Sequence, residues 1–523
     1  MATLELRPAH LRALLCLAEA AHLTGFLTET RGADYFWPGF DFKATPIVLF
    51  RGNLEAFLLQ FPHPPAGFSR LNVPMPGLEQ TPVYYHRGAL PYLPAVGAVE
   101  IEGRIAASLP LSVFRPEAVP EALVAGLVHE AFHAYERGHG RGRVDLSLVS
   151  SYPELSPANN ALGNMEGRIL YDYLSPRFGR CEPQARAQSD GESRGDGESR
   201  GDDESRGDDE SVRVAFDFSR TRRERRGPLE DSVIEYERQL EAAEGLARYV
   251  EVRALLGGMS AYRPSRAFQV LTGRATYTQA SRLVAEQVAK LPQLNINAAG
   301  AAWWRFFHTG MALALLADDL DPDWKRKVGA GPALDEVIDG RVTYDGGSSD
   351  ERAIEELKER YGYDQRLEAE REFGREEKRR KRDLLAMVLQ GTGTRVTFDV
   401  SALIAEETWW ESGRISLDWD PASTETITKN VRIHRKGLRF SGFGTDLRFA
   451  GIPVVEDRKS RLFHVNVPKA GHLDMRGDGR ACSLEKPAEF EDGLTVLLPG
   501  VSARARSGYV RDAGGTLYIR ITC

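Results

Sequence analysis

Cysteine is scarce. The four cysteines, Cys16, Cys181, Cys482 and Cys523, lie far apart and none forms a CxxC pair. That excludes a disulfide framework and a cysteine zinc knuckle, and it fits a reducing compartment. Long apolar runs are scarce too. The apolar residues 13–18 are bracketed by Arg12 and Glu19. The run is shorter than a secretory core, no clean cleavage site follows it, and no stretch approaches the roughly 20 apolar residues of a membrane span. Residues 7–22 are read as an amphipathic helix, and the chain as cytoplasmic with no membrane partner. Charge of one sign is in excess only locally. The formal net charge is −7, and residues 189–211 hold ten acids against three arginines, which accounts for the whole imbalance. Overall charge therefore implies neither nucleic acid nor an anionic membrane as a partner.

What is present is a globular composition, 42% hydrophobic and 27% charged, in 523 residues. That length exceeds one simple core and predicts two or three domains. Residues 1–115 read as mixed, with β-like runs at 46–51, 82–86 and 98–112 after the first helix. The segment Trp37-Pro38-Gly39-Phe40 reads as a turn with aromatic anchors. Residues 116–345 read as mainly helical, with helices at 120–138, 164–174, 229–256 and 302–318. Inside them the repeat GESRGD, GESRGD, DESRGD occupies 189–211. It has no large apolar residue and is expected to be disordered. The arginines that follow, Arg220, Arg222, Arg223, Arg225 and Arg226, lack the aromatic platform of a nucleic-acid site and could pair loosely with the repeat. Residues 346–390 read as a charged helical connector. Period-two alternation at 395–400, 461–467 and 516–522 predicts a β-sandwich or small barrel over 391–523.

The chemistry-bearing pattern is His129-Glu130-Ala131-Phe132-His133. Helix positions i and i+4 share a face, so both imidazoles can point at one metal ion. Glu130 is then placed to act on a metal-bound water as general base. The flanking Leu123, Val124, Leu127, Val128 and Phe132 predict a buried helix, where such polar groups are costly without a metal or partners. A catalytic zinc site needs a third ligand. His139 stands where an extended HExxHxxGxxH pattern has its third histidine, but Glu136 replaces that pattern's glycine. Glu166 lies on the predicted 164–174 helix. Glu244 lies in Glu244-Gly-Leu-Ala-Arg-Tyr-Val-Glu251, where Glu237, Glu241 and Glu251 fall on its helical face; one of these could orient a ligand histidine. A donor for a developing oxyanion is also required. His308, on the apolar 302–318 helix, is the first candidate, with Tyr249 and Tyr262 behind it.

HEAFHAYE followed by EGLARYVE resembles the gluzincin clan of zinc metallopeptidases, over residues 116–260. The resemblance implies an α+β fold: a zincin-like, mainly helical catalytic domain with an N-terminal mixed sheet, to which the all-β region is appended. It implies Zn2+ held by His129, His133 and Glu244, with Glu130 as base and a peptide or protein as substrate. Gly245 and Ala247 would let the Glu244 helix approach the first closely. It further implies an edge strand above the active helix that a peptide extends, for which residues 104–112 are the candidate. The alternative keeps the zinc but makes the chain an interaction scaffold that binds through its C-terminal β domain.

Overall fold

The computed structural model describes residues 6–51, 54–71, 81–88, 97–178, 201–259, 262–342, 348–403, 415–419, 423–428, 430–468, 474–481, 487–491 and 493–522. The fold is mixed α+β, in two compact units, Met1–Arg371 and Glu372–Cys523.

The first unit holds a six-stranded sheet: β1 (Ile47–Arg51), β2 (Glu55–Leu59), β3 (Ser69–Leu71), β4 (Val83–Arg87), β5 (Gly97–Ile101) and β6 (Arg104–Pro110), in the order β3-β4-β2-β1-β6-β5. Only β1 and β6 pair in parallel; the other neighbours are antiparallel. Alternation splits β1 and β2 between two cores. Ile47, Leu49, Phe57 and Leu59 face the helices, whereas Val48, Phe50, Ala56 and Leu58 pack with Phe61 and Phe68. The 98–112 run is a hairpin, because Glu102 and Gly103 turn the chain at positive φ. The predicted edge strand at 104–112 is thus corrected. β6 lies inside the sheet, and the edge beside it is β5, the other edge being β3.

The helices of this unit begin with α1 (Pro8–Arg31), α2 (Pro120–Gly138), which packs on β5 and β6, α3 (Pro157–Phe178), α4 (Gly201–Arg226) and α5 (Asp231–Leu240). A π-turn, Glu241–Gly245, joins α5 to α6 (Leu246–Gly258). Then come α7 (Arg266–Thr272), α8 (Ala280–Val288), α9 (Trp304–Leu320), α10 (Trp324–Ala330), α11 (Leu334–Asp339), α12 (Ser348–Arg360) and α13 (Tyr363–Gln390).

α1 runs beyond the expected 7–22, since Leu23 and Leu27 continue its buried face. At 24 residues it is long and apolar enough to cross a membrane, contrary to the sequence expectation, but it lies in the core of its unit. Its buried Glu19 accepts hydrogen bonds from the Tyr262 and Tyr277 hydroxyls and the Ser265 amide, at 2.7, 2.9 and 2.9 Å. The acidic repeat differs from expectation as well. From Gly201 onward it belongs to α4 rather than being disordered, on the helix whose Val214, Ala215 and Phe218 are buried in the core; residues 189–200 fall outside the described residues. The charged stretch after 345 is partly built in. Ile354 and Leu357 of α12 pack on Leu162 and Met165 of α3, and the buried Glu370 accepts from the Asn297 amide at 2.7 Å.

The second unit is a sandwich of an eight-stranded and a seven-stranded sheet over one core that includes Val396, Phe398, Phe440, Leu447, Phe463, Val496 and Ile519. Thr394–Asp399 lies between Leu462–Val467 and Thr516–Thr522, so the alternating runs read from the sequence are neighbours in one sheet. His434 is buried against Glu456 at 3.0 Å, and His464 contacts Thr397 at 2.9 Å.

Candidate metal centre

α2 begins with Pro120, whose missing N–H costs nothing in a first turn. Glu121, expected to favour the helix dipole, instead accepts from the Thr278 and Gln279 amides at the start of α8. Val124, Leu127, Val128, Ala131 and Phe132 bury one face of α2. Phe132 packs edge-on against Trp37 and Phe40, with ring centroids 5.6 Å away in each case, and the Tyr135 hydroxyl donates to the Pro38 carbonyl at 2.7 Å. The aromatic turn predicted at 37–40 is therefore the wedge that fixes α2 from behind.

The opposite face carries His129 and His133. Their Nε2 atoms are 3.0 Å apart. Glu244 Oε2, from the π-turn, lies 3.4 Å from His133 Nε2 and 3.9 Å from His129 Nε2. Two ligands on one tetrahedral zinc, each at about 2.0–2.1 Å, stand about 3.4 Å apart, and these separations bracket that value. Among the described residues this is the group found that could hold a metal ion, with one potential ligand atom from each residue, all within 4.8 Å of one another. Two imidazoles and a carboxylate are a donor set suited to zinc.

Behind the ligands, His129 Nδ1 lies 3.1 Å from Glu251 Oε2, with the ring turned off the ideal hydrogen-bond line. Arg248 donates to Glu251 at 2.6 Å. Burial alone would raise the Glu251 pKa, but Arg248 and then His129 outweigh it and hold it at about 2. Burial opposes the ionised form of Glu244 too, yet contact with His133 draws its pKa below the ordinary value. Glu130 differs. Burial raises its pKa, the histidines offset only part of that, and its buried Oε2 has no hydrogen-bond partner among the described residues. A Cβ on Gly97, at the start of β5, would stand 4.0 Å from that oxygen. Edge strand and unpartnered carboxylate are thus neighbours.

The other sequence candidates lie elsewhere. Glu166 is buried and paired with Arg222 at 3.0 Å and Arg225 at 2.5 Å. His139, at the end of α2, bonds through Nδ1 to the Tyr135 carbonyl at 2.8 Å and does not join the cluster. Tyr249 donates to Asp318 and Tyr262 to Glu19, so neither hydroxyl is available to an oxyanion. His308 is buried on α9 with Nδ1 unpartnered, and burial, reinforced by Lys290 and Arg248, lowers its pKa to about 3. It is a neutral imidazole beside the Arg248–Glu251 pair rather than a ligand.

The acidic stripe divides. Glu244 and Glu251 face the histidines, whereas Glu237 and Glu241 face arginines. A π-turn closes i→i+5 rather than i→i+4, so it shifts the 3.6-residue phase on which the single stripe was read. The arginine cluster was expected to pair loosely with the repeat, but three of its members turn inward. Arg222 pairs with Glu166 and Glu241, Arg225 with Glu166 and Glu237, and Arg226 with Glu237 and Asp335. Gly245 was read as easing approach to α2, but it faces α9. A Cβ there would come 2.6 Å from the Cα of Gly310.

Compared with known proteins, the chain matches no family model, no curated protein and no solved structure.

Proposed function

We propose that the chain is a zinc-dependent metallopeptidase of zincin-like, gluzincin type. The observation that carries this reading is the convergence of His129, His133 and Glu244 beside the half-buried Glu130, whose buried Oε2 has no hydrogen-bond partner among the described residues. The three residues would hold Zn2+, which when bound supplies Lewis acidity to a carbonyl and lowers the pKa of a water. Glu130, its pKa raised by burial, takes the proton of the attacking water and returns it to the leaving amine. Glu251 keeps the His129 ring oriented. A peptide substrate adds to the outer edge of β5, which brings its backbone past Glu130.

The test combines zinc content with digestion of a broad peptide library by wild type and Glu130→Gln. Stoichiometric zinc, cleavage by wild type and at least a 100-fold loss in the variant (the lower end of what positioned acid–base groups contribute, about 10²–10⁴) support it. Wild type without zinc overturns the site. Zinc without cleavage of any library member favours the scaffold reading instead.

A further inference from the structure

Glu244 is the only proposed ligand outside α2, and it sits on the least regular turn of its helix. An isolated π-turn is rare and persists where something holds it. Here its first residue, Glu241, is gripped from both sides. Arg222 of α4 makes a two-pronged contact with the Glu241 carboxylate, Nη1 to Oε2 at 2.8 Å and Nη2 to Oε1 at 2.7 Å. The Thr309 hydroxyl of α9 donates to Glu241 Oε1 at 2.8 Å. Glu241 is 1% exposed and Thr309 1%, so both contacts are made away from water, where such bonds hold geometry most firmly. None of these three side chains lies in the ligand cluster.

We propose that Arg222 and Thr309, by clamping Glu241, are positioning residues that set Glu244 against the two histidines, so that zinc affinity is governed from α4 and α9. This rests on the metal reading above. A clamp that merely stabilises the fold would lower the melting temperature without changing metal affinity in the folded protein. A clamp that positions a ligand changes that affinity, as loss of partners behind a ligand commonly does by about 10–100-fold.

The experiment measures zinc affinity of the full chain by competition with a chromophoric chelator, and thermal stability alongside. It compares wild type with Glu241→Gln, Thr309→Val and Asp335→Asn. Asp335 belongs to the same ionic network, through Arg226 and Arg238, but lies on α11. The expected result is zinc bound about tenfold more weakly by Glu241→Gln and Thr309→Val, and within about twofold of wild type by Asp335→Asn. Thr309→Val keeps the side-chain shape and decides the matter if Glu241→Gln does not fold. Wild-type affinity in the decisive variant overturns the proposal, as does equal weakening in Asp335→Asn. Wild type that binds no zinc overturns the metal reading itself, and is recognised before any variant is compared.

Discussion

The carboxylates of the first unit divide by partner, and the partner fixes what each can do. Glu251, ionised between Arg248 and His129, can only orient. Glu251→Gln keeps the volume and removes the charge; zinc affinity should fall about tenfold in chelator competition while secondary structure persists. Glu166 is structural. Burial would raise its pKa, but Arg225 and Arg222 outweigh that and hold it at about 2, below its ordinary value of 4.5. A depressed folded pKa contributes stability that is present above pH 4.5 and lost as pH falls towards 2. Glu166→Gln should cost about 3–5 kcal/mol at neutral pH, the usual result of breaking a buried pair from one side. It should also flatten the acid limb of a pH–stability profile. An acid limb as steep as that of wild type would show that other groups control it. The candidate ligand pair, His129 and His133, was legible because i, i+4 spacing survives any straight helix. That Glu166 is spent on arginines was not, since its partners lie 56 and 59 residues away in sequence.

At the scale of elements, the informative departure is the turn at Glu241–Gly245. A continuous helix over 229–256 places four glutamates on one stripe; the π-turn sends two to each side. Nothing in the composition of Glu-Ala-Ala-Glu-Gly marks a π-turn. α9 crosses it at Gly310, where a Cβ would come 2.8 Å from both the Glu241 carbonyl oxygen and the Gly245 Cα. Because backbone atoms are the obstacle, no rotamer relieves it. Gly310→Ala should therefore destabilise the first unit by about 1–3 kcal/mol, as overpacking does, and weaken zinc binding in the protein that remains folded. A fully stable variant with wild-type zinc affinity would show that the crossing has slack. The sheet was legible only in part for a related reason. The short β-like runs located β1 and β4, but which strand lies at the edge depends on pairing order, and a hairpin at Glu102-Gly103 put β5 at the edge instead of β6.

At the scale of the molecule, each unit has its own core, and the proposed metal ligands come from the first alone. The β-rich character of the second beyond α13 was readable because alternation of period two needs no long-range information. The boundary was not, because α13 continues unbroken across Arg371 and Glu372. Separate cores predict separate cooperative transitions. A ligand that binds only the native state stabilises the unit that holds it by RT ln(1 + [L]/Kd), about 2.7 kcal/mol at a free concentration of 100 Kd. Zinc at that level should therefore raise one calorimetric transition of the full chain by several degrees and leave the other in place, and a chelator should reverse the shift. His129→Ala should abolish the response without moving the second transition. If both transitions respond equally, or only one is seen, the two cores unfold together, and zinc binding in the first unit is felt throughout the chain.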